Sequence, residues 1–349
     1  MSLPPSEVPQ GAIRFNTDSQ RLEFYAQGEW WVMSTDTPNL GRSVDATPGA
    51  RGLFGAGYDN PNFRDIIDYI NISSTGNAID FGDLTTPTSA PYGASSNTRA
   101  VFAGGQIPAG TNVMEYVTIA STGDAVTFGE KTTKSNNNSG GCSNQTRGVF
   151  NGGHTPSPFT PIDTIDYITI ASTGNAVDFG NLSGGNATQQ SGIASPTRGI
   201  FAGGYAPGTG HNDAIIEFVN IATTGDTQDF GECTAVQNLR MGGCSNATRG
   251  LFGGGQPRSN VAIDLITMAS AGNAIDFGNL SSGRVFLTAT SSATRGVFAG
   301  GSGPSGYSGY DVIDYVQFTT QGNAVDFGNL SPSGSRGRSK GLSNAHGGL

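Results

Sequence analysis

The chain has 349 residues, 54 of them glycine, with a formal net charge of −9 and three cysteines. That acid excess makes duplex nucleic acid and anionic membrane surfaces poor partners, and three thiols cannot staple a disulfide framework. No apolar run reaches the length of a membrane span, and residues 1–7 lack the basic start and apolar stretch of an export signal; the expectation is synthesis in a cytoplasm, with no membrane insertion.

Residues 1–10 carry three prolines and read as an extended arm. Three short strands follow within residues 11–36, at 11–15, 21–25 and 29–33, separated by polar turns. Between residues 41 and 336 one passage is written six times. It begins Arg-Gly-Val-Phe-Ala-Gly-Gly or a near copy, at Arg51, Arg99, Arg147, Arg198, Arg249 and Arg295, and later reads Gly-Asn-Ala-Val-Asp-Phe-Gly-Asn-Leu or a near copy. The steps between these arginines are 48, 48, 51, 51 and 46 residues, a spacing that signals an array or a propeller.

Within a repeat, short apolar and β-branched runs between Gly, Asn and Ser clusters predict strands joined by hairpins. The predicted unit is a four-stranded antiparallel sheet, with strands A (285–292 in the sixth copy, mostly small residues), B (295–299), C (313–319) and D (324–327). A Gly-Asn or Gly-Asp pair stands between C and D in every copy, from Gly76-Asn77 to Gly322-Asn323, where tight hairpins need positive φ. No segment keeps helical apolar spacing over three turns, so almost no helix is expected. A lone sheet of this size cannot bury its two faces. Stacking sheets around an axis buries both and leaves only short edges. The two phenylalanines of each unit, such as Phe54 and Phe81 or Phe252 and Phe277, are then core between neighbouring blades.

An acid recurs in strand C, at Glu23, Asp68, Glu115, Asp166, Glu217, Asp264 and Asp314, and an arginine opens every strand B. Hydrogen bonds to turn backbone or ion pairs between blades are expected, because buried charges need partners. A carboxylate ring holding a metal is the sharper alternative, and strand C lies away from the axis. Cys142 and Cys244 fall at the same place in two A strands and Cys233 follows a D strand; all three read as buried thiols. His154 and His211 lie in B–C loops of neighbouring repeats without metal-ligand spacing, and solvated loop histidines are expected. No nucleophile elbow with its histidine and acid, and no phosphate loop, stands out. No enzyme, metal or cofactor is expected.

The last residues, 343–349, match 245–251, so the chain stops after a further strand A. Leu22-Glu23-Phe24 matches strand C phrases such as Ile216-Glu217-Phe218. The expectation is an all-β, seven-bladed propeller over residues 11–349, its last blade combining the three N-terminal strands with a C-terminal strand from 337–349. The alternative is six blades plus a separate N-terminal hairpin module. Arg284, Gly300-Gly301, Tyr315 and Phe327 resemble the kelch repeat, with Phe where kelch usually has Trp. That resemblance implies the propeller fold and leaves function open.

The A–B and C–D turns are uniform among copies, while the B–C and D–A loops vary. Strand polarity puts both variable sets at one end of the ring, where a rigid scaffold would present binding residues. Tyr58, Phe63, Tyr92, His154, Phe159, Tyr205, His211, Tyr307 and Tyr310 are the candidate contacts there; aromatic faces beside carboxylates suit sugars and protein surfaces alike. Residues 11–31, from Gly-Ala-Ile-Arg-Phe-Asn-Thr through Leu-Glu-Phe-Tyr to Gly-Glu-Trp-Trp, resemble a short module of bacteriophage tail and fibre proteins, and the array resembles structural proteins of marine phages. The resemblance implies a non-enzymatic virion protein with other virion proteins as partners and a host-surface glycan or receptor at the variable face. An intracellular protein-interaction scaffold is the second reading, and a carbohydrate-active enzyme the third.

Overall fold

A computed structural model describes residues 8–16, 21–32, 50–107, 110–135, 140–156, 158, 160–183, 188–206, 211–212, 214–235, 241–303, 309–331 and 336–349. Every regular element among them is a β-strand, and no helix is long and apolar enough to cross a membrane. The chain divides into two compact units, residues 1–49 and 50–349.

In the first unit Ile13–Asn16, Arg21–Ala26 and Glu29–Val32 form one antiparallel sheet in chain order. Ile13 stands opposite Phe24, and Phe24 opposite Trp31. On the other face Arg14 pairs with Glu23 at 2.8 Å and lies over the Trp30 ring, 4.1 Å from its centre. Hydrogen bonds from the Asn16 side chain, and then from Arg14, hold the Glu23 carboxyl below the usual carboxylate range.

The second unit holds six four-stranded antiparallel sheets in a propeller-like arrangement. Five follow the chain from strand A to strand D. In the sixth repeat, for example, these are Thr288–Ser291, Arg295–Ala299, Val312–Gln317 and Val325–Asn329. The remaining sheet belongs to the first repeat. Its strands B to D are Arg51–Asp59, Asn62–Asn71 and Ile79–Thr88, and its strand A is the C-terminal Lys340–Ser343, with Lys340 opposite Gly55 and Ser343 opposite Gly52. The expected union of the three N-terminal strands with the C-terminal strand in one sheet is therefore corrected. The C-terminal strand joins the first repeat, and the three N-terminal strands pair only with one another among the described residues. The physical reason lies in where the repeat begins. The first copy opens at strand B, and its unpaired inner edge is the one place where a terminal A strand restores a full ladder.

The inner strands touch one another in sequence from Tyr92–Ser95 through Gly141–Ser143, Ser191–Ala194, Gly242–Ser245 and Thr288–Ser291 to Lys340–Ser343, which touches Tyr92–Ser95 again. Between each pair of neighbouring sheets lies one apolar cluster. Each joins the strand D phenylalanine of one repeat to the strand B phenylalanine of the next: Phe81 with Phe102, Phe128 with Phe150, Phe179 with Phe201, Phe230 with Phe252, Phe277 with Phe298, and Phe327 with Phe54. All twelve rings are buried. The last cluster links the sixth sheet to the first.

Backbone bonds repeat with the same order. Each C–D turn glycine donates its N–H to the strand D phenylalanine carbonyl of the preceding sheet, as Gly123 does to Phe81 and Gly76 to Phe327, both at 2.8 Å. The next side chain, Asp124 or Asn77 in these two cases, accepts from the N–H two residues beyond that phenylalanine. The glycine after each strand D phenylalanine makes room for this turn. A Cβ on Gly82 would lie 2.5 Å from the Gly123 carbonyl carbon and oxygen.

Candidate functional site: the loop end and the axial bore

The recurrent strand C acids are structural, bonded mainly to the linker that leaves the preceding sheet. In five of the six repeats a Ser or Thr four residues after the strand D phenylalanine meets the acid of the next sheet; Asp68 of the first sheet is held by Arg336 instead. Thr132 Oγ1 donates to Asp166 at 2.5 Å, Ser183 Oγ to Glu217 at 2.9 Å, Thr234 Oγ1 to Asp264 at 2.5 Å and Ser281 Oγ to Asp314 at 2.8 Å. Thr85 bonds Glu115 in the same way. Burial pushes the Glu115, Asp166 and Asp264 carboxyls up. Two of these acids also hold buried arginines. Arg284 pairs with Asp314 at 2.5 Å and Arg336 with Asp68 at 2.9 Å, all four side chains fully buried. Among the described residues no three His, Cys, Asp or Glu side chains gather as a metal site.

The nine candidate contacts at the variable end do not share one fate. Tyr58 and Phe63 face each other across the hairpin that joins strands B and C of the first sheet, with ring centres 5.4 Å apart. Arg338 lies over both the Tyr58 ring, at 5.6 Å, and the Phe286 ring, at 4.3 Å, and donates to Gln106 Oε1 at 2.8 Å. Arg338 thus belongs to the site although nothing in the repeat pattern pointed to it. Asp59 and Arg64 form an ion pair at 3.2 Å on the same hairpin.

Tyr92 is a correction. It opens an inner strand and is buried, its hydroxyl donating to the Gly152 carbonyl at 2.7 Å while Lys131 Nζ sits 3.6 Å from its ring centre. His154 is also buried where a solvated loop was expected. Its Nδ1 lies 2.8 Å from the Thr155 carbonyl, and burial pulls the imidazole below its ordinary value. Tyr205 is half-buried, and a short pairing sets Tyr205 opposite Asn212 and Ala206 opposite His211. Tyr310 is half-buried, its hydroxyl packed so closely on Gly303 that a Cβ there would clash. Phe159 and Tyr307 lie outside the described residues.

A second feature runs along the axis. The inner strands leave a cavity of about 50 Å³ whose wall includes Cys142, Cys244 and Lys340, and a second of about 40 Å³ towards the loop end, lined by Gln190, Thr288, Ser339 and Lys340 among others. All three cysteines are buried, as expected. Burial pushes the Cys142 thiol up to about 12 and Cys244 further still, so both are neutral thiols. At the turn end, hydroxyls tie neighbouring inner strands. Ser143 Oγ donates to the Ser95 carbonyl, Ser291 to Ser245, Ser343 to Ser291, and Ser95 to Ser343, at 2.6–2.9 Å. Ser245 bonds Ala194 likewise at 2.7 Å, and Ala194 itself has no hydroxyl to pass on. The C-terminal segment crosses this end. His346 Nε2 lies 3.0 Å from the Ser95 carbonyl, its Nδ1 accepts from Gly348 N–H at 3.1 Å, and Gly347 N–H donates to the Ser245 carbonyl. Desolvation lowers the His346 imidazole to about 4, which leaves it neutral with the proton on Nε2.

No family model matches this chain, and no curated protein matches it.

Proposed function

We propose that this chain is a six-bladed, kelch-like propeller that serves as a non-enzymatic structural protein of a phage particle, binding at its loop end. The carrying observation is the contrast between the two ends of the array. At the turn end all six repeats make the same bonds to their neighbours, so that end is a rigid, repeated frame. At the loop end the connections differ, and one of them presents the half-buried Tyr58–Phe63 pair beside Arg338. Aromatic rings stack on sugar rings, and a neighbouring guanidinium bonds sugar hydroxyls and carboxylates. The wording of residues 11–31, with its likeness to tail and fibre modules, supports the virion setting, and other virion proteins are the partners that setting supplies.

The test is immunogold labelling of purified particles with an antibody to this chain, with glycan-array binding of the purified protein alongside. Labelled particles, together with glycan binding that falls at least tenfold in Tyr58→Ala at unchanged melting temperature, are the expected result. Particles that carry none of this chain overturn the virion reading. Glycan binding unchanged in Tyr58→Ala removes the hairpin from the binding face.

A further inference from the structure

We propose that the loop-end mouth of the axial bore binds a small carboxylate, with the Lys340 ammonium as its counter-charge and the Ser339 and Thr288 hydroxyls as neutral donors. The proposal is independent of the virion reading. Lys340 lines both axial cavities, as do Gly243 and Ala289. Its aliphatic stem lies against Gly93, where a Cβ would come within 2.6 Å of Lys340 Cγ.

This fold otherwise gives its interior cations partners. Arg284 has Asp314, Arg336 has Asp68, and Lys131 has Asp166 at 3.9 Å with Ser135 Oγ at 3.3 Å. Lys340 has no hydrogen-bond or ion-pair partner for its amine among the described residues, and no Asp or Glu lines either cavity. A half-buried ammonium without a counter-ion is costly, and a bound anion removes that cost. Two hydroxyls at the same mouth are unspent. Ser339 Oγ is buried and has no partner, at 7% exposure of the residue. Thr288 Oγ1 accepts from Gly341 N–H, which leaves its own proton to donate.

Size and charge select the ligand. A site of about 10–15 Å³ on this scale admits one water, so the mouth cavity of about 40 Å³ admits roughly three heavy atoms, the size of a carboxylate group. One lysine among neutral donors matches one negative charge. The amine is already held down to about 8 by burial, so an anion beside it would draw the proton back.

The chain has only three lysines, Lys131, Lys134 and Lys340, which makes the test clean. Lysines are reductively methylated with ¹³C-formaldehyde, and the methyl signals are followed against pH with sodium acetate or sodium glucuronate replacing chloride at constant ionic strength. Lys340→Met assigns the signal. The expected result is a saturable upward move of the Lys340 titration by about one pH unit, with the Lys131 and Lys134 signals unmoved by the anion. Thermal melting gives a second reading, because acetate raises the melting temperature of the native chain and not of Lys340→Met. A response to acetate alone places a free small acid in the mouth, and a response to glucuronate as well admits an acid carried on a sugar; either supports the site. A Lys340 titration insensitive to both anions, or an equal melting shift in the variant, overturns it. Should Lys340→Met fail to fold, Lys340→Arg assigns the signal in its place, and the titration of the native chain decides.

Discussion

Arg295 Nη1 donates to the carbonyl oxygen of Ile72 at 3.1 Å, across 223 positions of sequence. It joins strand B of the sixth repeat to the end of strand C of the first. Five other arginines make the same bond to the next sheet, Arg51 to Ile119, Arg99 to Ile170, Arg147 to Ile221, Arg198 to Met268 and Arg249 to Phe318. Most also lie over an aromatic ring of their own strand C, as Arg295 does over Tyr315 at 4.7 Å. The contact from last repeat to first is thus the ordinary contact of this array.

Arg295→Leu and Arg147→Leu should therefore both be destabilising, Arg147→Leu the more because its Nη1 also donates to the Ala222 carbonyl at 2.8 Å. Each removes a charged hydrogen bond, worth about 1.5–3 kcal/mol, and should lower the melting temperature by several degrees. Paired thermal melts check this. A loss in Arg147→Leu without one in Arg295→Leu would show that the sixth and first sheets are not joined in solution.

The Arg284–Asp314 pair is fully buried. Asp314→Asn leaves the guanidinium without its counter-charge and should cost about 3–5 kcal/mol, whereas an Arg284→Met, Asp314→Leu double variant should recover most of that loss. Urea unfolding of the three proteins measures it, and a double variant no better than the single one would refute the assignment.

His346 makes stability depend on pH. Its folded value, about 4, lies below the ordinary 6.5, so the fold favours the neutral ring. Its contribution is present above pH 6.5 and is lost as pH falls from there towards 4, because protonation ends the Gly348 N–H bond to Nδ1. The raised carboxyls of Asp166 and Asp264 act in the opposite sense, since the fold binds their protons more tightly. The native chain and His346→Gln should thus differ in melting temperature most at neutral pH, and the gap should narrow down to pH 4. A gap that stays constant with pH would show that His346 does not titrate in the fold.

The repeat period, the Gly-Asn turns and the twelve phenylalanines were enough to give sheets, hairpins and an inter-sheet core, because each of these is a local pattern or a simple count of apolar side chains. The acid of strand C was correctly expected to be partnered. In five of the six repeats its partner is also written in the chain, as the Ser or Thr four residues after the strand D phenylalanine, but the bond crosses from one repeat to the next and does not show within a single copy. The same holds for Gly82 and its copies. They resemble strand ends, but their purpose is to admit a neighbouring turn, which one repeat read alone does not contain. Tyr92 was misplaced for a related reason: its phrase follows a variable loop, yet it opens an inner strand of small residues.

What the sequence determined by itself was the unit: a four-stranded sheet with apolar faces, repeated six times, with strand A left over at one end of the chain. What only the tertiary structure decided was where that last strand goes, and what gathers at the axis. Lys340–Ser343 could complete either of two open edges on pattern alone. It pairs with Arg51–Asp59 because the first copy opens at strand B and leaves that inner edge without a ladder partner. Lys340, Ser339, Thr288 and Cys142 are far apart in sequence, and they meet only because strands from different repeats converge on one axis.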